Sequence, residues 1–134
     1  MPFPSSEWLD ALCNKLNADG RYNQIARNWE GDLAFDIGSD ANLRHPVSMY
    51  LDLWHGGCRG VEYNAPLGAH PSVRFILRSP YGNFAAILLG KLDPMTAMLS
   101  SRLKVEGGLG YMMRNVPTVL DFVRCAREIT TDIL

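Results

Sequence analysis

His55 and Cys58 stand three residues apart, an H-x-x-C spacing that could hold a metal ion or pair a thiolate with a base. Zinc takes three or four protein ligands, and no second pair lies at suitable spacing, although His45 and His70 lie in loops that could approach. No signature of a cysteine nucleophile surrounds the pair, and His55-Gly56-Gly57 is turn material. Neither a metal site nor a catalytic residue is therefore expected here. Gly107-Gly108-Leu109-Gly110 invites a phosphate-loop reading but lacks the spacings of the known phosphate-binding loops. Glycines that let the chain turn sharply explain it, and an anion at the following helix N-terminus is the one ligand reading left.

Arg74, Arg78, Arg102 and Lys104 fall on the polar sides of two alternating runs. They could form a basic patch for a carboxylate or phosphate headgroup. Asp32, Asp36, Asp52 and Glu62 on the other runs favour pairing of charges across a sheet instead. Tyr50, Trp54 and Ile76 among them are unusual on a wetted face and point to contact with another chain. As an acid or base, Asp36, Asp52 or Tyr63 could serve a small enzyme, yet only Tyr63 falls on an inward position.

These residues must be carried by elements that the periodicity defines. Ser5 or Ser6 can cap a first helix, in which Trp8, Leu9, Leu12, Cys13 and Leu16 recur at helical spacing and which Gly20 stops. A short helix over residues 22–28 follows. The period then changes to two over residues 31–37 and 47–54, around Val61, Tyr63 and Ala65, and from Val73 to Arg78. Consecutive strands joined by turns predict an antiparallel meander with one apolar face. Helical spacing returns over residues 81–89 and 94–100, with Gly90 between them. A fifth strand is predicted over residues 102–106, a short helix over 111–115, and a final helix with Pro117 in its first turn. The order predicts an α+β fold: a five-stranded, mainly antiparallel sheet with helices over its apolar face.

The totals exclude several classes. The chain has 134 residues, the size of one domain, and a formal net charge of −1. That balance lacks the basic excess of a protein that lives on nucleic-acid phosphates. Cys13, Cys58 and Cys125 are widely spaced, without a C-x-x-C pair, and are expected to be three reduced thiols. No secretory leader, peroxisomal tail or spanning segment is read, so the cytoplasm is expected.

The stretch Gly90-Lys91-Leu92-Asp93-Pro94-Met95-Thr96-Ala97-Met98, followed by residues 103–113 from Leu103-Lys104-Val105 to Met112-Met113, resembles the sterol carrier protein type 2 family. The order of elements upstream is similar as well. The resemblance implies a five-stranded sheet covered by helices around an apolar tunnel for fatty acid, fatty acyl-CoA or a sterol-like molecule. It implies no cofactor and no bond chemistry. Ser100-Ser101-Arg102 has no glycine where the family usually carries one.

Six methionines suit a surface that must fit varied apolar shapes. A dry cavity of ~300 Å³ would cost about 7 kcal/mol, comparable to the about 5–15 kcal/mol stability of a whole domain. A carrier of this size must hold an apolar ligand or have mobile helices that collapse. The expected floor of the site is Phe35, Met49, Leu51, Phe75 and Leu77. The expected roof is Phe84, Leu88, Met95, Met98, Leu99, Met112 and Leu120. Residues 1–134 thus read as one lipid-binding domain with an apolar lipid as its partner and no nucleic acid. Transient membrane contact and a homodimer are left open. The alternatives are a small α+β enzyme and a dimerisation or accessory domain acting on an apolar substrate.

Overall fold

Ser5 begins the first long helix by accepting a hydrogen bond from the Trp8 amide through its hydroxyl, at 3.0 Å. The computed structural model describes residues 2–66 and 68–133. Strand β1 (Pro2–Phe3) precedes helix α1 (Ser6–Ala18), whose Trp8, Leu9, Leu12 and Leu16 stripe is buried. Asp19 closes α1 and caps α2 (Gly20–Ile25) through the Tyr22 amide, so Gly20 opens a second helix rather than only ending the first.

Strands β2 (Leu33–Gly38), β3 (Val47–Trp54) and β4 (Gly57–Tyr63) form an antiparallel meander. Strand β5 (Phe75–Pro80) does not extend it. The chain crosses back and β5 pairs with β2 in parallel, Phe35 opposite Leu77, to give the order β4-β3-β2-β5-β6. This corrects the expectation of a four-strand meander. The other pairings are antiparallel, so the α+β sheet is mainly antiparallel. Helices α3 (Tyr81–Leu88) and α4 (Pro94–Leu99) lead to β6 (Lys104–Glu106). Then come α5 (Leu109–Met113), α6 (Val116–Ile129) and β7 (Asp132–Ile133), which pairs in parallel with β1. That terminal pair was not anticipated: two residues are too few to show a period. Trp8 reinforces it, donating from Nε1 to Thr130 Oγ1 at 2.8 Å.

The β3–β4 turn shows why His55 and Cys58 make no site together. His55 and Gly56 both take positive φ, 47° and 83°, the geometry that a two-residue hairpin turn requires. His55 Nε2 sits 2.6 Å from Glu30, while Cys58 lies in β4 and is disulfide-bonded to Cys13 of α1. The expectation of three reduced thiols is corrected: two distant cysteines meet because α1 packs over β4. Only Cys125 is free and buried, and burial pushes its thiol up to about 11.

The outer face of the sheet is covered by pairing within the chain. Arg78 bridges Asp36 and Glu106 across three strands, and Arg59 grips Asp52 and lies over the Trp54 ring. His70 stacks on Tyr50 at 3.5 Å. Tyr50 and Trp54 thus each have a neighbour from their own chain, while Trp54 stays 39% exposed.

Arg74 leaves the strand face altogether, its guanidinium lying over Tyr111 and bonding the Glu30 carbonyl. Gly107 (φ 101°) passes so close to the Arg74 carbonyl that an added Cβ would overlap it. Close approach thus explains the glycines, and α5 behind them has five residues. Ser101 itself takes the left-handed conformation (φ 60°) where the resembling family usually has glycine. Gly107→Ala is expected to lower stability by about 2 kcal/mol or more. Gly20→Ala, with open space around it, is expected to raise stability by about 0.5 kcal/mol. Denaturant melts of both variants check the contrast.

Candidate functional site

The strand period puts Leu33, Phe35 and Ile37 of β2, Met49 and Leu53 of β3, and Leu77 of β5 on one face. Between that face and the helices lies a cavity of about 90 Å³. Its helical side is Phe84, Ile87 and Leu88 of α3, Pro94 and Met98 of α4, Met112 of α5, and Val119, Phe122, Val123 and Ala126 of α6. Phe35 lines it, edge-on to Phe84 at 5.7 Å and stacked with Phe122 at 6.2 Å.

The polar atoms along the wall are few and engaged. Thr118 Oγ1 donates to the Ile25 carbonyl, and Trp29 Nε1 donates to the Gly31 carbonyl at 2.8 Å. Tyr22 is buried, and burial drives its hydroxyl well above the ordinary phenol range. What the arrangement can do is exclude water and contact apolar atoms from all sides.

Of the expected floor, Phe35, Met49 and Leu77 line the cavity, as do Phe84, Leu88, Met98 and Met112 of the expected roof. Leu51 and Phe75 are fully buried but lie outside it, and Phe75 packs with Trp29 and Tyr111. Met95 is half-buried and also outside the lining. Leu99 and Leu120 are corrected outright: they are 69% and 42% exposed. Each follows a lining residue, Met98 or Val119, so its position on the helix turns it away from the cavity. Asp36, Asp52 and Tyr63 do not line the cavity.

Sequence reasoning missed the N-terminal wall, made by Phe3, Trp8, Tyr22 and Trp29. Trp8 was visible as part of the apolar stripe of α1, but nothing local shows that α1 closes this end. The closure depends on charge. Arg124 of α6 reaches Asp19 at 2.7 Å, Asp121 at 2.8 Å and Glu128 at 2.8 Å, while Lys15 bonds both Asp19 and Glu128. This cluster pins the α1–α2 corner to α6. Asp19, Asp121 and Cys125 also have ligand atoms close enough to share a metal ion. Arg124, bonded to both carboxylates, already supplies their positive charge.

Residues 9–119 match the model of the SCP-2 sterol transfer family, and the chain belongs to that family. The family binds and transfers lipids. A crystal structure of sterol carrier protein 2 superimposes with a TM-score of 0.81 at 29% identity, covering 92% of this chain and 96% of the other. The solution structure of the conserved hypothetical protein TT1886 from Thermus thermophilus gives 0.83 at 27% identity, covering 95% and 89%. Apo sterol carrier protein 2 from Yarrowia lipolytica gives 0.60 at 16% identity over 93% of each chain, a likeness of fold. No curated protein matches the chain. Among the described residues, no helix is long and apolar enough to cross a membrane.

The corner cluster gives the fold an acid sensitivity. Arg124 first, then the Tyr22 amide, hold the Asp19 carboxyl well below the usual carboxylate range. A carboxyl lowered in the folded state adds stability in full above its unfolded value, about 3.9, and loses it as pH falls toward the folded one. Asp19→Asn is therefore expected to be less stable than the parent at pH 7. Its loss of stability below about pH 4 should be shallower. Thermal melts across that range check the sign.

Proposed function

We propose that this chain is a non-catalytic carrier that binds and transfers an apolar lipid ligand, a fatty acid, fatty acyl-CoA or sterol-like molecule. The apolar cavity between the sheet and the helices carries this reading, and the chain acts as one lipid-binding unit. Phe35, Met49, Leu77, Phe84, Leu88, Met98 and Met112 are its contact residues. Leu51, Phe75 and Met95 support them from behind.

The magnitudes favour a site that opens to receive its ligand. A dry cavity of about 90 Å³ costs about 2 kcal/mol, which a domain of ordinary stability tolerates. An apolar cavity of about 150 Å³ holds only a benzene ring, so a long acyl chain needs the roof to move. Helices α3, α4 and α5 have eight, six and five residues. Helices so short depend on packing for their stability. Gly90 (φ 77°) between α3 and α4, and the glycines before α5, are natural places for them to pivot. Burying sixteen methylenes at about 0.8 kcal/mol each supplies about 13 kcal/mol gross, from which association and ordering subtract.

Catalysis finds no support at this cavity: Asp36 and Asp52 are held by Arg78 and Arg59 on the outer face. The disulfide between Cys13 and Cys58 also removes the cysteine argument for a reducing compartment.

Met98→Trp tests the reading by filling the cavity from its roof. Delipidated parent protein should take up a fluorescent acyl chain with micromolar affinity. The variant should bind at least tenfold more weakly with little change in melting temperature. A solid core would instead lose stability, about 1–3 kcal/mol on overpacking, and a large fall in melting temperature would mean that Met98 is ordinary core.

A further inference from the structure

The disulfide between Cys13 and Cys58 fastens two sides of the cavity to each other. Cys13 lies on α1, the helix that carries Trp8 of the cavity wall. Cys58 stands in register with Leu53 of β3, another wall residue. The bond therefore ties the α1 wall to the sheet across a sequence separation of 45 residues.

The surroundings suit this bond to reversible cleavage. A domain of 134 residues buries enough core to need no covalent staple. The same stretch of hairpin is also held without it: Asn17 Oδ1 accepts from the Cys58 amide at 2.8 Å, and Asn17 Nδ2 donates to the Cys58 carbonyl at 2.9 Å. Asn23 Nδ2 donates to the Gly56 carbonyl at 2.7 Å and to the Leu16 carbonyl at 2.8 Å. Helices α1 and α2 thus keep a seat on the β3–β4 turn when the sulfurs part. Each sulfur has an acceptor in place: Cys13 Sγ lies 3.6 Å from the Cys58 carbonyl oxygen, and Cys58 Sγ lies 3.6 Å from that of Gly60. A thiol is a weak donor, so both thiols of the reduced form are satisfied where they stand. Cys13 is half-buried and flanked on α1 by the exposed Asp10, Asn14 and Asn17, whereas Cys58 is buried. A thiolate from solution therefore reaches Cys13 first.

We propose that the Cys13–Cys58 bond is a reducible latch: its reduction by a dithiol lets the α1 wall open and speeds exchange of the bound lipid. A thiolate of the dithiol attacks Cys13 Sγ, the bond between the two sulfurs breaks, and Cys58 leaves as a thiolate that takes up a proton. The second thiol of the dithiol, after losing its proton, displaces Cys13 as a thiolate, which is protonated in turn. Two electrons have then passed to the protein, which holds two thiols, and the dithiol has become a disulfide. Cys125 is free and fully buried and takes no part. The control of lipid exchange rests on the carrier reading, while the loosening of α1 does not.

The test compares the whole protein with and without dithiothreitol. Iodoacetamide applied after denaturation should label one cysteine in the untreated protein and three after reduction. Hydrogen exchange of the α1 amides should quicken on reduction while the protein stays folded. A covalent tie across a loop this long shifts an opening equilibrium by on the order of a hundredfold. Release of a fluorescent fatty acid, chased with excess oleate, should accordingly become at least about tenfold faster. Cys13→Ala with Cys58→Ala should release it like the reduced parent and ignore dithiothreitol. If that variant does not fold, the two redox states of the parent still decide. The proposal is overturned if three cysteines label without reductant, or if α1 exchange or the release rate is the same in both states. Reduction that unfolds the protein would make the bond a staple and overturn it as well. A parent that binds no fatty acid in either state, with α1 exchange still responding to reductant, would sink the carrier reading alone.

Discussion

The inward face of the sheet is continuous and apolar, and α1 and α3 pack on the sheet while α6 holds the remaining helices of the described residues beside them. Leu33, Ile37, Met49, Leu53 and Leu77 are each 5% exposed or less. Their burial is the main favourable term available to a chain of this size. The long helices, α1 and α6, are tied at the edges by the Asp19–Arg124 cluster, the Trp8–Thr130 bond and the disulfide to β4. The roof between them is left to helices of eight residues or fewer. A firm frame with a weak roof is what a site needs if it must close without a ligand and open to admit one.

The same constraint accounts for the chemistry at the cavity. Polar atoms along its wall are consumed by backbone carbonyls, as at Thr118 and Trp29, and so leave little for directing a reaction. The charge clusters stand at the corner of α1, α2 and α6 and on the outer sheet face, where Arg78 and Arg59 organise them. Selectivity would then come from shape and from the adaptable methionines at positions 49, 98 and 112.

The alternation along residues 47–54 was legible because β3 is buried on one face and wetted on the other. The first helix cap was legible as Ser5 or Ser6, and Ser5 satisfies the amide three residues on, whereas the Asp93 cap of α4 was not read. The path of β5 was not, since its residues alternate in the same way whether it pairs with β4 or crosses to β2. The Cys13–Cys58 bond was hidden for the same reason, being a product of packing between elements 45 residues apart. In the roof, spacing told which residues are apolar but not which side of a two-turn helix faces down. Met98 and Leu99 are neighbours in sequence, and one is 7% exposed while the other is 69% exposed.

In the proposed carrier, burial of an apolar chain beneath the roof drives binding. Titrating the delipidated protein with a series of saturated fatty acids of increasing length, at fixed headgroup and fixed salt, tests it most directly. Each added methylene is worth about 0.8 kcal/mol if fully buried, so affinity should rise about fourfold per methylene until the opened cavity is full, then level off. An affinity that does not change with chain length would mean that the carboxylate, and not the cavity, is what the protein binds.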